Sequence, residues 1–359
     1  MRKPLLVLLS ALLLTFTLSA CQSGESADGE LVIYSGRSEV LVDSLVEMYR
    51  QQTGETVDVN VRYGSDAQLL AAIEEEGDQS PADVFWANTT GALGQATDAG
   101  LLTALPDSLL ALPSRFTPGN GQWVPITTRF RVLAYNPEQV DPDELPDSVA
   151  VRQDQQIVIG DLPALDQFEG RIGWTPAYSS FQDFVTALRI VEGDETARTW
   201  LEGVQALNPN AYSSNTPMIR ALAAGEIDVA LTNHYYVLRL TYGDAKVDDP
   251  STVTPGASVE THYFAQGDIG NLALVTGAGV LQTSDQSEQA QDFLRFLLSE
   301  QAQGFAANTL NEYPLIEGAE TPEYLMSIDE AQQLSPDFDL ERLSELDATL
   351  QLLRDVGAL

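Results

Sequence analysis

Apolar residues along the chain change period repeatedly, and those changes mark the elements. Leu31-Val32-Ile33-Tyr34 is a continuous apolar run that predicts a short buried strand. Val40 to Gln52 then carries Leu41, Leu45, Val46, Met48 and Tyr49 at helical spacing, and Thr53-Gly54 stops it. Val57 to Val61 alternates like a second strand, Asp66 to Glu76 reads as a helix, Ala82 to Trp86 as a third strand and Gly91 to Ala99 as another helix. This alternation of strand and helix predicts an α/β unit with a mainly parallel sheet. Trp123 to Ile126 and Arg131 to Asn136 read as two further strands, followed by a polar, Pro-rich connection from Pro137 to Pro146. A second series follows: strand Gly170 to Trp174, helix Ser180 to Glu192, helix Thr196 to Leu207, helix Thr216 to Ala224 ended by Gly225, and strand Ile227 to Thr232. Asp244 to Ser258 is a polar excursion, Asn271 to Val280 an apolar strand, Glu288 to Leu298 and Gln301 to Asn308 helices, and Leu340 to Leu353 a terminal amphipathic helix.

The N-terminus follows none of these periods. Arg2 and Lys3 precede an almost wholly apolar stretch from Leu5 to Leu18, and Leu18-Ser19-Ala20-Cys21 resembles a bacterial lipoprotein cleavage box. Residues 1–20 are therefore expected to be a signal peptide, with Cys21 lipidated and residues 21–30 a polar tether. Cys21 is the one cysteine, so the mature chain is expected to have no internal disulfide and no thiolate metal site. With 18 Lys and Arg against 53 Asp and Glu, the formal net charge of the 359 residues is -35. Such a surface repels nucleic acid and anionic headgroups.

Catalytic motifs are missing. There is no Walker loop, no GxGxxG after Ile33 and no GxSxG elbow, and the two histidines, His234 and His262, lie in no zinc spacing. The Asn233-His234-Tyr235-Tyr236 run stands where a strand meets a helix-like stretch, a place where α/β proteins present ligand groups. Adjacent phenols there suit either an aromatic core or a hard cation that displaces their protons. Both could reach one ion only if the chain leaves extended geometry, since strand neighbours face opposite ways. Tyr178-Ser179-Ser180-Phe181 opens a helix, which offers free N–H groups for an anion or an ordinary serine cap. Arg37 and Arg131, two of only 16 arginines, stand at strand edges and could hold an oxyanion in bidentate fashion or pair on the surface.

From about Leu31 to Pro314 the chain resembles the iron(III)-binding proteins of ABC importers, the bacterial transferrin-like group. The resemblance rests on Leu31 to Glu39, Gly77 to Phe85, Arg129-Phe130-Arg131-Val132-Leu133-Ala134-Tyr135-Asn136, Gly225 to Ala230 and Asn233-His234-Tyr235-Tyr236. It implies an α/β, two-lobed, type II (Venus-flytrap) periplasmic-binding-protein fold with crossover hinge strands. Residues 31–130 with about 264–310 would form one lobe, and about 131–263 with 311–359 the other. It implies Tyr235 and Tyr236 as Fe(III) ligands, completed by a synergistic anion such as carbonate. Ser179, Ser180 and Phe181 fall where the helix start holds that anion, Asn215 and Asn233 match assisting positions, and Arg131 matches an anion-contacting arginine. Ser38 and Ala87-Asn88 occupy the places where some members carry a His and a Glu, which implies a tyrosine-dominated site. The third tyrosine's usual place holds Phe181, leaving Tyr178, then Tyr34, or anion and water. The implied protein is a monomeric, lipid-anchored extracytoplasmic receptor that delivers iron to an ABC permease and its ATPase and is not an enzyme. The same fold with a polyamine, thiamine or phosphonate ligand is the alternative.

Overall fold

In the computed structural model, which describes residues 29–54, 57–150, 152–153, 156–157, 163–243 and 258–359, a single long strand organises the chain. The strands are β1 (Leu31–Ser35), β2 (Val59–Tyr63), β3 (Val84–Ala87), β4 (Val124–Tyr135), β5 (Arg152–Gln153), β6 (Gln156–Ile157), β7 (Ile172–Trp174), β8 (Asn210–Ala211), β9 (Val229–Asn233), β10 (Glu260–His262), β11 (Ala273–Val280) and β12 (Tyr313–Pro314). The helices are α1 (Glu39–Gln52), α2 (Asp66–Glu76), α3 (Thr90–Asp98), α4 (Pro163–Asp166), α5 (Ser179–Glu192), α6 (Asp194–Ala206), α7 (Asn215–Ala223), α8 (His234–Tyr242), α9 (Ser287–Leu297), α10 (Glu300–Leu310), α11 (Ile328–Leu334) and α12 (Leu346–Asp355).

The main sheet runs β2-β1-β3-β11-β4-β9-β7-β8, with β10 and β12 also paired to β4. β1, β2 and β3 are parallel to one another, as are β7, β8 and β9, whereas β11 and β9 lie antiparallel to β4. Along β4 the partners change. Residues Val124 to Phe130 pair with β11, and Arg131 to Tyr135 pair with β9. One strand thus belongs to two α/β lobes.

Each lobe has helices on both faces, sorted by strand parity. Leu31, Ile33, Val84 and Trp86 face α1 and α9, and share a core with Leu41, Leu45, Phe293 and Phe296. Tyr34, Phe85 and Ala87 face the other way, toward Leu69, Ile73 and Leu93 of α2 and α3. In the second lobe Leu133, Val229 and Leu231 pack with Phe184, Trp200 and Leu353, while Ala134 and Ala230 pack with Met218, Leu222 and Leu240.

The two strands expected around residues 123–136 are one strand of 12 residues. Thr127, Thr128 and Arg129 interrupt the apolar pattern, but all three are buried at the lobe junction. The terminal helix is also divided, into a 3-10 turn at Leu340–Ser344 and α12. Cys21 and most of the excursion from Asp244 lie outside the described residues.

Candidate metal centre

β9 ends at Asn233 and α8 begins at His234, so Tyr235 and Tyr236 are the second and third residues of a helix. Helical neighbours are separated by about 100° rather than 180°, and the two rings lie side by side, 4.2 Å between centroids and tilted by 30°. Tyr178 is the N-cap of α5, with extended backbone at φ -96° and ψ 135°. Its hydroxyl lies 2.9 Å from that of Tyr236. Two helix starts, 58 residues apart in sequence at their tyrosines, therefore bring three phenols together.

These phenols are held neutral. Burial is the main force raising Tyr235, to about 12, and Tyr236 goes higher for the same reason. Tyr178 is raised well above its ordinary value, first by its neighbour Tyr236 and then by burial. The positive charge of Arg129 opposes the rise at both Tyr178 and Tyr235. Nothing but a strong Lewis acid or a fixed cation ionises such groups near neutral pH.

Facing the phenols are three buried arginines. Arg37 donates through Nη2 to both carboxylate oxygens of Glu312, at 2.9 and 2.8 Å, and through Nη1 to Asn88 Oδ1 at 2.6 Å. Arg129 donates through Nη2 to the Asn88 carbonyl at 2.5 Å. Arg131 donates to Asn233 Oδ1 at 3.3 Å, and its guanidinium carbon is 5.5 Å from the centre of the Phe184 ring. Burial first, and then Arg129, pull the Arg131 pKa down to about 9.

The region is rich in buried hydrogen-bonding groups without partners: Arg37 Nε, Arg129 Nε and Nη1, Ser180 Oγ and Asn233 Nδ2. Buried donors are almost always satisfied in folded proteins, so this concentration of donors is suited to a bound anion. Ser179 and Ser180 open α5, and Asn215 opens α7, close enough to Tyr236 to favour its ionised form. Among the described residues no group of three His, Cys, Asp or Glu is placed to hold a metal ion. The groups gathered here are phenols and hydrogen-bond donors.

Two expected site residues stand elsewhere. Tyr34 lies one position before the end of β1 and faces α2, where its hydroxyl meets Glu76 at 3.0 Å and Arg62 at 3.0 Å. Strand parity turns it away from the phenols. Phe181 offers no anion contact through its side chain, which is fully buried against Trp174 and Phe184. Its N–H already donates to the Tyr178 carbonyl at 3.0 Å. His234, beside the tyrosines, is structural: Nδ1 accepts from the Phe130 N–H at 3.2 Å, so Nε2 donates to the Asn311 carbonyl at 2.8 Å. Burial holds it neutral, with a pKa pulled down to about 4.

Arg129, Asn88 and Glu312 were not singled out from sequence. Arg129 could have been, because it sits two residues before Arg131 and thus on the same face of an extended strand. Glu312 is 275 residues from Arg37, and no local pattern links them.

Two α/β lobes sharing crossover strands, with a ligand-ready cluster where they meet, define a periplasmic-binding-protein fold. The chain belongs to the family of bacterial extracellular solute-binding proteins, whose model matches residues 31–308. It is 29% identical over 358 residues to the Fe(3+)-binding periplasmic protein of Serratia marcescens, covering 99% of this chain and 97% of the relative. It is 32% identical over 292 residues to iron uptake protein A2 of Synechocystis, covering 80% of this chain and 78% of that one. Iron-bound HitA from Pseudomonas aeruginosa superposes with a TM-score of 0.79 at 33% identity, over 91% of this chain and 99% of HitA. The Trichodesmium FutA complex with iron and citrate superposes with a TM-score of 0.74 at 27% identity, over 92% and 99% of the two chains.

Proposed function

We propose that this protein is an extracytoplasmic receptor that captures Fe(III) with a synergistic anion and delivers it to an ABC permease. The observation that carries the reading is the convergence of Tyr178, Tyr235 and Tyr236, with hydroxyls of the first and third 2.9 Å apart, beneath a set of unpartnered buried donors. Three phenolates neutralise the ion's charge. Arg129 and Arg131, with Ser180, Asn215 and Asn233, hold the anion that completes the coordination shell, while Arg37 is largely balanced by Glu312. A relative named as Fe(3+)-binding and the iron-bound HitA structure, both of similar length, support iron as the cargo.

The tyrosines come from one side of the change of partners in β4, and Arg37, Asn88 and Arg129 from the other. A ligand bonded to both sides favours the closed arrangement of the lobes, and the permease reads that arrangement. Residues 31–130 with about 264–310, and about 131–263 with about 311–359, are the bodies proposed to move. Lipidation at Cys21 keeps the receptor at the membrane. The protein turns over no substrate.

Iron held by phenolate has a visible charge-transfer absorption. The wild-type protein loaded with Fe(III) should be coloured, and a Tyr235→Phe/Tyr236→Phe double variant should be colourless and should lose affinity by more than about 100-fold, beyond the range seen for losing groups that only support a ligand. A colourless loaded wild type, or normal iron binding by the double variant in equilibrium dialysis, overturns the reading.

A further inference from the structure

The helix that carries Tyr235 and Tyr236 is gripped at both ends by one segment of the C-terminal chain. At its start, His234 Nε2 donates to the carbonyl of Asn311 at 2.8 Å. At its last residue, Tyr242 stacks on Tyr324, with centroids 3.9 Å apart and planes 8° from parallel. The two grips are connected to each other, because the Tyr324 hydroxyl donates to Asn311 Oδ1 at 2.7 Å. A closed circuit results: α8, Tyr242, Tyr324, Asn311, His234 and back to α8.

Asn311 has the geometry for this role. It caps α10 in the left-handed region, φ 60° and ψ 27°, which asparagine tolerates better than most residues. That conformation ends the helix and aims carbonyl and side chain at two different partners. The next residue, Glu312, binds Arg37 in bidentate fashion and accepts from Thr127 Oγ1 at 2.5 Å. Two consecutive residues thus fix the tyrosine helix on one side and the arginine facing the tyrosines on the other. The stacked pair itself is exposed, Tyr242 at 55% and Tyr324 at 37%. Rings so exposed add little to the core, so holding α8 in place is the contribution their geometry supports.

We infer that Asn311, Glu312 and Tyr324, with Tyr242, form a clamp that positions α8 and Arg37 relative to one another and so sets how fast bound iron is lost. These are positioning residues, none of which touches the ion. The inference rests on the reading of Tyr235 and Tyr236 as iron ligands.

The test uses the full chain loaded with Fe(III), challenged with excess EDTA, and follows the decay of the charge-transfer band. Tyr324→Phe keeps the stacked ring and removes the bond to Asn311. Asn311→Gly keeps the left-handed backbone and removes the same bond. Tyr242→Leu removes the stack. Each should speed iron loss about 3- to 10-fold, the scale of one hydrogen bond or one aromatic pair. Combining Tyr324→Phe with Asn311→Gly should add nothing to either alone, since both break one bond. Glu312→Gln should shift the band's position as well as the rate, by loosening Arg37 beside the phenolates. Melting of the iron-free Tyr324→Phe and Tyr242→Leu variants should match the wild type, which separates positioning from stability. Wild-type rates in Tyr324→Phe and Tyr242→Leu, with the wild-type band intact, overturn the clamp alone. Absence of the band in the loaded wild type overturns the iron-site reading instead.

Discussion

Tyr178 and Tyr34 show what decides whether a tyrosine joins the phenol cluster. Both precede small residues at the end of a strand or the start of a helix, and sequence could rank them but not separate them. Their difference is one of direction. Tyr178 caps α5 and meets Tyr236, whereas Tyr34 lies within β1 and points into the opposite helix layer. Tyr178→Phe is therefore expected to weaken iron binding by about 10- to 100-fold or more and to reduce the charge-transfer intensity. Tyr34→Phe, which removes only a hydroxyl bonded to Glu76 and Arg62, should leave both unchanged. Competition with a chelator measures the pair side by side, and equal losses in both would remove Tyr178 from the site. The tyrosine doublet at a strand end is a local pattern visible in the sequence, but that pattern alone suits an aromatic core as well as a metal; its meeting with Tyr178 comes only from the fold. Arg129 and Glu312 were less legible. One is disguised as part of a strand, and the other acts only through a partner distant in sequence.

Helices and strands were read well where one face is apolar and less well where an element crosses between lobes. β4 shows why. Its middle carries threonine and arginine because it lines the junction, so the apolar period fails although the strand continues without a break. α5 crosses the junction in another way. Its Asp183 is buried, and its Oδ1 lies 3.1 Å from where a Cβ on Gly91 of α3 would sit. Burial raises this carboxyl from 3.8 to about 7. Asp66 on α2 adds to the rise, while Arg129 and Arg131 on β4 oppose it. The folded chain thus keeps a proton between those two pH values that the unfolded chain has lost. Stability from this group is fully present below about pH 4 and disappears as pH rises through about 7, by at most about 4 kcal/mol. Asp183→Asn should remove that slope. In denaturant titrations of the iron-free protein, the variant should gain on the wild type between pH 5 and pH 8, and a constant difference across that range would show that Asp183 does not carry it.

The whole molecule sets the electrostatic frame for the site. A chain with a formal charge of -35 buries three arginines around three phenols. Their field favours the anionic forms that a trivalent cation requires, but burial is stronger, and the iron-free phenols stay protonated. Binding must then release a proton from each phenol that becomes a ligand. With three such phenols, affinity rises with pH by up to about a thousandfold per pH unit, and acidification unloads the receptor. Ga(III) separates this from the chemistry of iron, because it is trivalent but gives no charge-transfer colour. On adding it, the ultraviolet difference spectrum should count three ionised tyrosines in the wild type and two in Tyr178→Phe. Those counts would make the site a proton-for-metal exchanger whose stoichiometry is set by two helix starts. A count of none would mean that the phenols only line the cleft, and that a different ligand is held by the arginines.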